Sequence, residues 1–222
     1  MFLTKMQLNP QRRKARKLLS SPQAMHAAVL AGFPDSRPSE DGRVLWRVDS
    51  YGAHRVLLYI SSPDKPDLTH LVEQAGWPTT QGWQTASYDS LLDSLETGQR
   101  WQFRLTANPV HAVRREGWSA TKPLGHVTVV QQQQWLLDRQ ERLGFRIAPS
   151  SVADELDVAV VDRAVRRFDR NGSRVTISTA TFEGHLDVAD TDAFRCALTF
   201  GIGRAKSYGC GLLTLAKPAR LS

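Results

Sequence analysis

Apolar and polar residues alternate from Phe2 to Leu8, which predicts a strand. The pattern breaks at Asn9-Pro10, a capping residue followed by a proline, and a basic helix or loop runs on to Leu19. A second cap-and-proline start, Ser20-Ser21-Pro22, leads into Gln23–Phe33. Met25, Val29 and Gly32/Phe33 recur there at helical spacing, which puts His26 at the edge of the apolar face. Turn residues at 34–42 separate this helix from two strand patterns, Arg43–Asp49 and His54–Ser62, joined at Tyr51-Gly52. Asp67–Gly76 is weakly helical, and the stretch from Trp77 to Glu96 has little period and reads as a bridge.

Strict alternation returns over Trp101–Ala107 and stops at Asn108-Pro109. His111–His126 reads as a basic loop, and Val130–Gly144 as the longest helix, closed by Gly144. Phe145–Ile147 is a short strand pattern. Val158–Asp169 and Arg174–Thr181 flank Asn171-Gly172, a dipeptide that between alternating runs predicts a tight hairpin. A strand over Phe182–Val188, a helix over Ala193–Phe200 capped by Asp190 or Asp192, and a strand over Leu212–Leu215 close the chain. The order strand, helix, two strands, helix, strand therefore occurs twice. That order predicts an α+β protein of two tandem ferredoxin-like (RRM-like) βαββαβ domains, residues 1–92 and 93–222.

The chain has 222 residues, enough for two small domains, each with its own core. Its formal net charge of +7 is unevenly spread, and the distribution says more than the total. Six basic side chains and no acid lie in the first twenty residues, while Arg163, Arg166, Arg167, Arg170 and Arg174 surround the predicted hairpin turn with only Asp169 among them. Clusters of this kind point to a nucleic-acid partner. The competing reading of the hairpin is a solvated, arginine-rich edge strand that resists aggregation. Cys196 and Cys210 read as free thiols of a reducing compartment. With no run of about 18 apolar residues, the expectation is a soluble cytoplasmic protein without a membrane partner.

Chemistry narrows to few residues. The six histidines and two cysteines have none of the spacings that pre-arrange ligands, so neither a metal nor another cofactor is expected. Residues 201–211 hold four glycines with Arg204, Lys206 and Ser207 among them, a composition suited to bringing amides and cations to a phosphate. The plainer alternative is a turn between helix and strand. Lys206-Ser207 resembles the end of a Walker loop, but Ala205 stands where that loop needs glycine. RNA cleavage without a metal needs only a base for the 2′-hydroxyl and an acid for the leaving 5′-oxygen, and histidine suits either task.

The C-terminal helix, the run Gly201-Ile202-Gly203-Arg204-Ala205-Lys206-Ser207-Tyr208-Gly209-Cys210-Gly211 and the strand after it resemble the CasE family of CRISPR-associated endoribonucleases. Asn9-Pro10, Pro22 to Met25-His26, and Phe103-Arg104-Leu105 with Ala107-Asn108-Pro109 agree with it in order. The resemblance implies metal-independent cleavage of a CRISPR repeat hairpin by attack of the 2′-hydroxyl, with the product retained among the other Cascade subunits. It also implies that His26 is catalytic, and that Gly201, Gly203, Arg204, Lys206 and Gly209 meet RNA together with the hairpin arginines. Relatives have a tyrosine three residues before the histidine. Gln23 stands there instead, a side chain that orients by hydrogen bonding and transfers no proton. A repeat-binding subunit with weak or no cleavage is the alternative implied by that change.

Overall fold

A computed structural model describes residues 1–52, 54–77, 82–114, 116, 120–152, 155–170 and 172–218. In the first half, β1 (Phe2–Leu8), α1 (Arg13–Ser20), α2 (Pro22–Leu30), β2 (Leu45–Ser50), β3 (Val56–Ser62), α3 (Thr69–Ala75) and β4 (Trp83–Ser87) follow one another. The sheet order is β2-β3-β1-β4 with antiparallel neighbours throughout. Met6, Leu8, Leu58 and Ile60 from one sheet face meet Leu18, Met25, Val29 and Leu71 from the helices. Helix α2 begins as its sequence dictates. The Ser21 hydroxyl accepts from the Ala24 N–H, and Pro22 occupies a first-turn position where no N–H is needed.

The second half runs through α4 (Asp89–Asp93), β5 (Arg100–Ala107), β6 (Val110–Val113), β7 (Lys122–Gly125), α5 (Val129–Leu137), β8 (Phe145–Ile147), β9 (Val158–Arg170), β10 (Ser173–Val188), α6 (Thr191–Phe200) and β11 (Leu213–Ala216). Its sheet order, β11-β5-β10-β8, repeats the order of the first sheet, with β9 continuing beside β10 as a long arm. Two ferredoxin-like units therefore stand in tandem. Phe103, Leu105, Phe182 and Leu186 pack here against Trp135, Leu136, Phe194 and Leu198. We propose the division at 92/93, within α4, a helix the two units share: Leu92, on the first-unit side of the division, packs into the second core.

Several local expectations are corrected. The stretch read as a bridge contains β4, which completes the first sheet; all five of its residues fall short of burial on an edge, so its alternation is faint. Arg174–Thr181 and Phe182–Val188 form one continuous strand, β10, and the irregularity falls on β9, where Val161 is skipped between the pairs Thr181–Asp162 and Phe182–Val160. Residues 111–126 contain the β6–β7 hairpin. Helix α5 stops at Leu137 because the Arg139 and Gln140 N–H groups turn to carbonyls three residues back, and a short 3-10 helix, Glu141–Leu143, leads to Gly144 at φ 75°. The first helix starts at Arg13, while Asn9 closes a turn by accepting from the Gln11 N–H. Asn171 lies outside the described residues, and Arg170 pairs directly with Ser173 across the turn.

The halves are joined by a buried ionic junction. Arg47 on β2 forks onto both carboxylate oxygens of Asp49 at 2.9 and 2.8 Å, and donates to the carbonyls of Arg104 and Leu212 and to the Thr214 hydroxyl. Arg104 reaches back to Asp49 at 3.1 Å and also pairs with Glu183. Arg47 is 2% exposed and Asp49 1%. A guanidinium with every direction filled by acceptors can be held dry only if none of these partners is lost.

Candidate active site

His26 sits on the second turn of α2, half-buried, with Gln23 one turn earlier on the same side of the helix. The indole N–H of Trp46, on β2, donates to His26 Nδ1 at 3.3 Å. Burial, then the guanidinium groups of Arg43 and Arg170, push the imidazole below its ordinary pKa. These surroundings favour the neutral ring of His26, beside cations that would attract a phosphate.

The glycine-rich segment comes from the other half and packs against these residues. Its 3-10 turn, Lys206–Tyr208, lies on α2 and β2. Gly209, at φ 81°, is buried against Trp46: a Cβ there would fall 2.7 Å from the indole ring. Gly201 is similarly fitted to Leu45, and Gly203 to Trp135. Glycine is therefore required here for close packing as well as for turning, a reason the sequence pattern did not supply. Arg204 is exposed, whereas the Lys206 ammonium donates to the Gly203 carbonyl at 2.5 Å and is pushed down in pKa by burial and by Arg43. Of the two cations in the segment, Arg204 is the freer to meet a ligand.

The hairpin arginines divide by face. Arg166 and Arg170 share a side of β9 with Phe168, whose ring meets Tyr208 edge-on at 4.7 Å. That side looks across to α2, and the Arg170 charge reaches His26. Arg163 and Arg167 occupy the opposite side, with Arg163 donating to the Val127 carbonyl at 2.7 Å; Arg174, paired with Asp169, belongs with them. Between arm and first half lies a cleft of about 680 Å³, lined in part by Met25, Trp46, Tyr51, Arg104, Arg166 and Tyr208. Among the described residues, no three His, Cys, Asp or Glu side chains gather as metal ligands, and no helix is long and apolar enough to cross a membrane. Cys196 and Cys210 are free.

A family model described as CRISPR associated protein matches residues 1–217. The chain belongs to the CasE family of CRISPR-associated proteins. It is 30% identical to the CRISPR-associated endoribonuclease Cse3 of Thermus thermophilus over 223 aligned positions, covering 97% of this chain and 100% of that one. It is 28% identical to the CRISPR system Cascade subunit CasE of Escherichia coli, covering 74% and 82%. A structure of CRISPR endoribonuclease Cse3 bound to 19 nt RNA superposes with a TM-score of 0.82 at 28% identity, over 97% of this chain and all of that one.

Two residues of this CasE-family site escaped the sequence reading. Trp46 looks like core on an alternating strand, which it also is, at 4% exposed. Arg43 opens the strand pattern Arg43–Asp49 in the sequence and carries no motif; in the structure it lies just before β2. Only pairing β2 next to β3, and seating the glycine segment on β2, brings either of them to His26.

Proposed function

We propose that this chain is an endoribonuclease that binds CRISPR repeat hairpin RNA, cuts it without a metal ion, and stays with the mature product as a subunit of a Cascade assembly. The observation that carries the reading is half-buried His26, bonded to Trp46 of the cleft wall on a helix packed by the glycine segment of the other half, beside Arg43 and Arg170, in a chain that aligns over 97% of its length with a named endoribonuclease. In the reaction, the 2′-oxygen bonds to the adjacent phosphorus as its proton leaves, and the P–O5′ bond breaks as the 5′-oxygen gains a proton. The products are a 2′,3′-cyclic phosphate and a 5′-hydroxyl.

Each group has a role that fits its surroundings. His26 meets the reacting phosphate. Gln23 orients it or the 2′-hydroxyl through its amide. Arg166 and Arg170 hold stem phosphates on the cleft side of the arm, where A-form RNA is engaged by shape and backbone. Arg163, Arg167 and Arg174 extend the cationic surface on the other side. Arg204 supplies an exposed charge, and Gly201, Gly203 and Gly209 set the path of the segment that carries it, with Lys206 bracing the turn. Single-turnover cleavage of a labelled repeat hairpin in EDTA tests the reading, with a 2′-deoxy nucleotide at the scissile position as control. Cutting of the deoxy substrate, or a requirement for a divalent ion, would exclude it. Binding without any cutting would favour the non-catalytic alternative, for which the absence of a proton-transferring side chain at Gln23 is the motivating observation.

A further inference from the structure

Trp46 has little freedom. It sits on β2 paired with Ile60 of β3, is 4% exposed, and has Gly209 pressed against its six-membered ring. Its indole nitrogen is a donor only, so the 3.3 Å contact to His26 Nδ1 has one possible sense. A neutral imidazole carries a single proton. With Nδ1 accepting, that proton resides on Nε2.

We propose that Trp46 is a positioning residue that fixes His26 in the Nε2–H tautomer, so that the histidine presents a hydrogen-bond donor, and not a base, to the scissile phosphate. This deepens the cleavage reading above and rests on it. Adding a proton at Nδ1 would set two N–H groups head to head, so the indole opposes the imidazolium form. The other groups that face the ring act in the same direction: the Arg43 charge on the approach to β2 and the Arg170 charge at the arm tip, with half-buried Lys206 beside Arg43 on the turn packed against α2. The Tyr208 ring on that turn is engaged with Phe168. Nε2 of a neutral ring that already carries its proton cannot take one from the 2′-hydroxyl. In this scheme the 2′-hydroxyl proton passes to water and the leaving 5′-oxygen takes one from water. His26 Nε2–H meanwhile bonds to a non-bridging phosphate oxygen as charge accumulates on it.

The test combines spectroscopy with kinetics. In wild-type protein labelled with ¹⁵N-histidine, and without RNA, the His26 resonances, assigned with His26→Gln, are expected to show the Nε2–H tautomer at neutral pH and a titration midpoint below that of free imidazole. Trp46→Phe keeps an aromatic ring against Gly209 and deletes the donor. It is expected to raise the midpoint, to mix the tautomers, and to slow single-turnover cleavage on the order of tenfold, with RNA affinity unchanged, as befits one lost hydrogen bond at a preorganised site. An Nδ1–H tautomer in the wild type overturns the proposal, whether or not Trp46→Phe folds. A folded Trp46→Phe with wild-type tautomer, midpoint and rate does so too. If wild-type protein binds repeat RNA and never cuts it, the cleavage reading fails, while the tautomer measurement still decides the role of Trp46.

Discussion

Replacing Asp49 with alanine should be among the most damaging single changes available in the first half. The Asp49 carboxylate, 1% exposed, accepts two bonds from Arg47 and one from Arg104. Without it, Arg47 keeps the Arg104 and Leu212 carbonyls and the Thr214 hydroxyl, yet none of these is charged. Stranding a cation that is 2% exposed costs about 3–5 kcal/mol, a large part of the whole stability of a small protein. Removing both charges together, as Arg47→Met with Asp49→Leu, should recover most of that loss, because the desolvation penalty disappears with the attraction. Urea unfolding of wild type, the single variants and the pair would measure the cycle. The reasoning fails if Asp49→Ala unfolds within about 1 kcal/mol of wild type, or if the double variant is as unstable as the single ones. Cleavage offers a second readout. The junction fixes β2, which bears Trp46, against β5 and β11, so the cleft should lose its shape before either core melts.

Other outcomes are expected on similar grounds. His26→Ala should lower single-turnover cleavage at saturating protein by about 10²-fold or more while RNA affinity stays nearly intact, and Gln23→Ala should cost less. Arg166→Ala with Arg170→Ala should flatten the salt dependence of hairpin binding more than Arg163→Ala with Arg167→Ala, since Arg166 lines the cleft and Arg170 shares its side of β9. An equal effect of the two pairs on the slope would contradict that division. Gly209→Ala forces a methyl to within 2.7 Å of the Trp46 ring at a left-handed φ, so destabilisation of roughly 1–3 kcal/mol and loss of cleavage are expected together; thermal melts and the cleavage assay check both. Because the folded protein depresses the His26 pKa, the unfolded chain binds the extra proton more readily. This group's contribution to stability is present above the ordinary histidine pKa and is lost as pH falls through the folded value, which urea midpoints in Trp46→Phe and wild type across that range would register.

The repeated element order was readable because each unit carried a local mark. Ser21-Pro22 opens α2, alternation defines β5, and Asp190 caps α6 through the Asp192 and Ala193 N–H groups. What went unread depended on neighbours. Strand β4 gains its identity by pairing Trp83–Ser87 with β1, and its own side chains carry almost no pattern. The site divides in the same way. His26 and the glycine segment were marked by residue type, but the partners that set the chemistry of the imidazole, Trp46, Arg43 and Arg170, come from different strands or turns and share no spacing with it. The glycines also acquired a second meaning, since what each one touches is visible only after the two halves meet.

The skipped Val161 makes the arm tolerant of length change on one strand and intolerant on the other. Strand β9 already accommodates one surplus residue where it leaves the sheet, so a further insertion or deletion beside Val161 can be absorbed there without turning the residues nearer the tip. Strand β10 has no such slack. It runs unbroken from the turn into the centre of the second sheet, and it alone carries the phase of the pleat from core to tip. One residue added between Ser173 and Ala180 would roll the outer hairpin over, exchanging Arg166 and Arg170 for Arg163 and Arg167 on the side that looks at His26. Natural variation in arm length should therefore accumulate in β9 or come in steps of two in β10, a reading frame written in strand register.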